Sequence, residues 1–180
     1  PVSAAVLEPD GLPASFVLGK PIPDTPPGTG TASREYILAP TSVSASGNRL
    51  AVVDASAHRV LIYEGIPQAD GASASFVVGQ SNFNDEASRG WTASGLTLPR
   101  SAVITPDNRL VVADTLNNRV LIWNEVPRVH LAAATVVLGQ FDFIHCAEND
   151  ANHDHTADAT PGRETLNQPF ALWSDGSRLI

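Results

Sequence analysis

Methionine is absent from this chain, and Lys20 is its only lysine. A chain that opens on Pro1 rather than on methionine reads as a processed or excised piece of a longer polypeptide. With 11 basic against 19 acidic side chains the formal net charge is −8, and the pI lies near 4.9. That balance excludes a basic face for nucleic-acid phosphates or for an anionic membrane surface. No apolar run approaches bilayer-spanning length, and no signal peptide is visible at the N-terminus. Cys146 stands alone, so no internal disulfide framework exists, and the redox compartment stays open.

Catalytic signatures are equally scarce. There is no nucleophile elbow, no Cys/His pair at catalytic spacing and no repeated aromatic-basic pattern of the kind that stacks RNA bases. Gly79-Gln80 and Gly139-Gln140 are not phosphate cradles, because neither a helix nor a Lys-Ser/Thr pair follows them. No segment shows a 3.6-residue period with caps, which removes helix-bundle and α/β folds.

What is present is repetition, within 180 residues of which 43% are hydrophobic, enough to bury a core. Asn108-Arg109-Leu110-Val111-Val112-Ala113-Asp114-Thr115-Leu116-Asn117-Asn118-Arg119-Val120-Leu121-Ile122-Trp123 reads as two short apolar strands around a polar turn. Sixty residues earlier nearly the same text runs from Asn48 through Asp54 and Arg59 to Tyr63. Phe16–Gly19, Phe76–Gly79 and Val136–Gly139 recur at that same spacing of sixty. Pro40, Pro99 and Pro169 each open a unit, and Ser177-Arg178-Leu179 starts a third copy displaced by a longer loop.

Each unit holds four strand candidates. The first follows the proline, at Thr41–Ser46, Ser101–Thr105 and Phe170–Ser174. A tight turn comes next, at Gly47-Asn48, Asp107-Asn108 or Asp175-Gly176, residue types that accept positive φ. The second strand is Leu50–Val53 or Leu110–Ala113, and the third is Val60–Tyr63 or Val120–Trp123. Past a Pro-containing loop comes the fourth, Ser75–Val78 or Thr135–Leu138. The N-terminal stretch fits as the tail of an earlier unit, with Val6-Leu7 matching Val60-Leu61 and Gly11-Leu12-Pro13 matching Gly65-Ile66-Pro67.

Second and third strands are apolar on consecutive residues, as in strands buried on both faces. A four-stranded antiparallel meander covered on both faces is what a β-propeller blade requires. The lean first strands (Ser42, Ser44, Ala102, Ala171) suit the crowded position nearest a propeller axis. The expected fold is therefore all-β: a β-propeller of four-stranded antiparallel blades. A β-sandwich is the competing fold, although it needs no fixed period.

Arg109-Leu110-Val111-Val112-Ala113-Asp114-Thr115-Leu116-Asn117-Asn118-Arg119-Val120 resembles the motif of NHL-repeat β-propellers. The first unit departs from it where Ala55, Ala57 and His58 replace the threonine and both asparagines. The resemblance implies a ring of six blades, of which this chain supplies about three: a single partial propeller over residues 1–180. Residues 1–20 end a preceding blade, 40–80 and 99–140 are complete blades, and 169–180 start the next. Residues 141–168 form a long polar insertion loop. A half-ring would leave apolar faces open, met by further blades in a longer chain or by self-association of two copies. The long-unit form resembles bacterial, often exported, NHL proteins, which implies an extracellular or periplasmic location.

Two groups of residues are candidates for function. Asp54 and Asp114 end the second strands, and Arg59 and Arg119 open the third. Their recurrence favours a structural pairing over a ligand-binding ring of carboxylates. The insertion is about ten residues longer than its counterparts, and it gathers His145, Cys146, Asp150, His153, Asp154 and His155. Cys146-x6-His153-x-His155 offers three zinc donors, and Asp150-x-Asn152-x-Asp154 matches the first three positions of a calcium loop. Position six of that loop is His155 instead of glycine and position twelve is Pro161, which excludes an EF-hand.

If strands alternate up and down, the insertion, the Asp114–Asn118 turn and the loops 82–95 and 24–35 share one rim. Asp114, Asn117, Asn118 and Trp173 are then the candidate ligand-binding rim. Trp91, Tyr63 and Trp123 are expected to pack between blades. Taken together, these features favour a non-enzymatic binding scaffold for a protein or glycan ligand, without nucleic acid and without membrane insertion. The alternative implied by the resemblance is a zinc- or calcium-dependent lyase or lactonase-like hydrolase on that rim.

Overall fold

The computed structural model describes residues 16–20 and 30–180. The expected matches at Val6-Leu7 and Gly11-Leu12-Pro13 lie outside the described residues, as do residues 24–29 of the loop 24–35.

Among the described residues, eight strands form two four-stranded antiparallel sheets. The first contains β1 (Pro40–Ser46), β2 (Arg49–Asp54), β3 (Arg59–Tyr63) and β4 (Phe76–Val78), paired in that order. The second contains β5 (Ser101–Ile104), β6 (Leu110–Asp114), β7 (Arg119–Trp123) and β8 (Val136–Leu138), again in chain order. A single 3-10 turn over Thr115–Asn117 is the only helical piece among the described residues. The two registers repeat: Leu50 faces Tyr63 and Asp54 faces Arg59, as Leu110 faces Trp123 and Asp114 faces Arg119. Turn chemistry explains the hairpins. Gly47, Asn108 and Gly176 take the left-handed φ values of 57°, 68° and 92° that their turns demand.

The consecutive apolar residues of β2, β3, β6 and β7 do face two ways. Ala51, Val53, Val60, Ile62 and Val78 pack on one side of the first sheet against Ala102, Ile104, Leu110, Val112, Leu121 and Trp123 of the second. On the other side of the first sheet Val52, Leu61, Tyr63, Ala74 and Val77 form a second cluster with Ile37. Trp123 thus lies between the sheets and Tyr63 in the second cluster, whereas Trp91 is exposed.

β1 lies along β5, and the small residues of β1 join them. Ser44 Oγ accepts the Ile104 N–H at 3.0 Å, and Ser42 Oγ accepts the Ala102 N–H at 3.5 Å. The contact recurs one unit on, where Ser101 Oγ accepts the Leu172 N–H at 3.2 Å. In the Ser42 and Ser101 contacts a serine two residues past a proline takes the N–H three residues past the next one. Apart from this contact, Phe170–Ser174 does not form the expected strand. Ser174 makes one isolated bridge to Leu179, and Trp173 and Ile180 exchange two backbone bonds of 2.8 and 2.9 Å. Phe16–Gly19 is not a strand either, although the Gly71 N–H donates to Val17 O at 2.9 Å. The Leu131 N–H donates likewise to Val77 O in β4, at 3.2 Å.

Candidate functional site

The loops between units are organised around two buried ion pairs. Asp54–Arg59 and Asp114–Arg119 close at 2.8 Å each, with all four side chains 0% exposed. Asp54 Oδ1 accepts the N–H groups of Leu38 and Ala39, and Asp114 Oδ1 accepts that of Thr97 at 2.7 Å. The arginines reach the other way. Arg59 donates to Tyr36 O at 2.7 Å and to Phe83 O; Arg119 donates to Thr92 O, Gly95 O and Phe143 O at 2.8, 3.1 and 2.7 Å. One guanidinium therefore ties the loop before its sheet to the loop after it, and planar forked donors suit that task. Burial pushes the Asp114 carboxyl up, while Arg119, the Thr97 N–H and the Asn117 amide pull it down.

Glutamine plays a supporting part that sequence reasoning missed. Gln80 Nε2 donates to Ala57 O and Ala87 O, and Gln140 Nε2 donates to Asn118 O and Ala147 O. Each buried amide joins the hairpin turn of its unit to the loop that leaves it. The Gly-Gln dipeptide recurring at a spacing of sixty was the available signal.

The expected rim residues divide accordingly. Asp114 is buried in its ion pair, and Asn117 is buried with its amide on Asp114 Oδ2 and Gly90 O. Neither presents a free group to a ligand, because the 3-10 turn directs both inward to satisfy loop carbonyls and the arginine. Asn118 is half-buried, donating to Cys146 O and accepting the Gln168 N–H. Trp173 is exposed, on the 173–180 turn. The insertion, the Asp114–Asn118 turn and the loop 82–95 do meet at Arg119 and Asn118.

Within the insertion the candidate metal ligands are arranged as a ring stack. His145 and His155 stack at 3.8 Å between centroids, and Phe141 stacks on His153 at 4.3 Å and meets His145 edge-on at 5.6 Å. His145 Nδ1 is bonded to Asp142 Oδ1 at 2.6 Å, which helps hold the Asp142 carboxyl below its ordinary value. Asp150 is buried and accepts the N–H groups of Asp154 and His155, both at 3.0 Å. Bonds from Thr156 hold the Asp154 carboxyl low. Burial pushes the half-buried Cys146 thiol up, away from the thiolate a metal would take. Among the described residues no three His, Cys, Asp or Glu side chains converge as a metal-ligating group. His145 and His155 thus present ring faces to one another, and the Asp150 carboxylate is taken up by backbone N–H groups.

Large apolar side chains remain exposed around the Asp114–Arg119 pair. Trp91 is 53% and Phe141 64% exposed, and Leu116 and Ile144 are exposed as well. Trp91 sits between Gly90 and Thr92, which bond Asn117 and Arg119; Phe141 and Ile144 flank Phe143, which bonds Arg119. No family model and no curated protein matches the chain.

Proposed function

We propose that the chain is part of an NHL-type β-propeller acting as a non-enzymatic binding scaffold, with a protein or glycan ligand taken on the loop-rich rim. The observation that carries this is the exposure of Trp91, Leu116, Phe141 and Ile144, each on a loop or turn tied to one buried ion pair. Exposed aromatic rings on rigidly anchored loops are suited to recognition. Two stacked four-stranded meanders whose first strands lie side by side support the propeller part of the proposal.

Binding to a glycan array and to a displayed peptide library tests it, with Trp91→Ala and Phe141→Ala alongside. The expected result is a ligand whose affinity falls about tenfold or more in both variants at unchanged melting temperature, as for aromatic anchors. Absence of any ligand, or binding indifferent to both substitutions, overturns the proposal.

A further inference from the structure

His58 marks one chemical difference between the two hairpin turns. It holds a left-handed φ of 52°, where the second unit has Asn118 at 51°. Both side chains reach the segment that enters the next unit. His58 Nδ1 accepts the Leu98 N–H at 2.8 Å, and Asn118 Oδ1 accepts the Gln168 N–H at 2.9 Å. Leu98 and Gln168 each precede a proline and are themselves left-handed, at φ values of 49° and 46°. A non-glycine residue in that region is costly and persists where its surroundings over-determine it. An amide oxygen accepts at any pH, whereas an imidazole nitrogen accepts only while its lone pair is free.

We propose that His58 is a proton-sensitive latch between the first unit and the loop entering the second, and that acidification releases that loop. The loop carries Trp91, so the ligand surface is coupled to the latch. The charged groups facing His58 are Asp54 on its own hairpin and Asp114 from β6, already paired with Arg59 and Arg119. Burial sets the imidazole below its ordinary value of 6.5, and the two carboxylates oppose that shift more weakly. As pH falls, the unfolded chain takes up its proton first. The contribution of the latch is therefore complete above pH 6.5 and drains away from there down through the folded value.

Amide hydrogen exchange of the whole chain, corrected for intrinsic rates, reads the latch directly. The Leu98 protection factor falls by up to about tenfold per pH unit as pH drops from 6.5 to the folded value and levels off below it, while that of Gln168 stays level. His58→Asn levels the Leu98 profile, since asparagine already serves the equivalent position. Asn118→His transfers the pH dependence to Gln168. Leu98 losing protection equally in His58→Asn, or Gln168 remaining level in Asn118→His, overturns the proposal.

Discussion

Tyr63 and Trp123 occupy the same register position in the two sheets, opposite Leu50 and Leu110, yet only Trp123 finds a partner for its polar tip. Trp123 Nε1 donates to Ala132 O at 3.0 Å, whereas the buried Tyr63 hydroxyl has no hydrogen-bond partner among the described residues. A buried donor left unpaired costs roughly 1–3 kcal/mol. Tyr63→Phe is expected to raise stability by up to about that amount, read from the midpoint of urea unfolding. A loss of stability would show that the hydroxyl is satisfied in solution.

Burial pushes the same phenol up to about 12 from 10.0, with Arg59 pulling it down. The unfolded chain loses this proton first as pH rises, so stability declines across the window from 10.0 to about 12. Urea midpoints measured through that window should fall in the parent chain and stay flatter in Tyr63→Phe.

Arg119→Met leaves Asp114 as an unpaired buried charge and frees three loop carbonyls. The expected cost is about 3–5 kcal/mol, with replacement of both partners by apolar residues costing less than the single change. Equal costs for the single and double variants, measured by chemical unfolding, would count against a coupled pair.

Ser44→Ala removes the acceptor for the Ile104 N–H between β1 and β5. Ile104 is buried, so the loss should be about 1–3 kcal/mol. Val43→Ala on the same strand serves as a control, since Val43 is 66% exposed and should change stability little. Thermal unfolding distinguishes the two.

Gly79 has φ +90°, and a Cβ there would lie 2.7 Å from both His58 O and Leu96 Cδ1. Gly90, at φ +64°, has open space around it. Gly90→Ala should cost about 1–2 kcal/mol from the left-handed backbone alone. Gly79→Ala should cost clearly more, because the contacted carbonyl is backbone and cannot step aside. Similar melting temperatures for the two would remove the packing role assigned to Gly79.

Strand order, hairpin turns and the Asp–Arg pairs were legible because they are written locally. Apolar runs at a fixed interval, Gly47 or Asn108 in the turn, and an acid and an arginine five residues apart all lie within one hairpin. The ends were harder. Phe16–Gly19 and Phe170–Ser174 carry strand residues, but a strand exists only where a neighbour supplies a ladder. The side-chain arrangement of the insertion was not legible for a related reason. Donor types at metal-like spacing say nothing about whether rings meet nitrogen to nitrogen or face to face.

By itself the sequence determined that this chain folds as repeated antiparallel meanders with two buried faces, since the period and the consecutive apolar strands allow little else. Tertiary structure alone decided that Asn117 turns inward, that Ser44 serves a strand sixty residues away, and that His155 stacks on His145 and His153 on Phe141. Those outcomes depend on which backbone donors and ring faces approach once the sheets are stacked, and that proximity is not encoded in the spacing of residues along the chain.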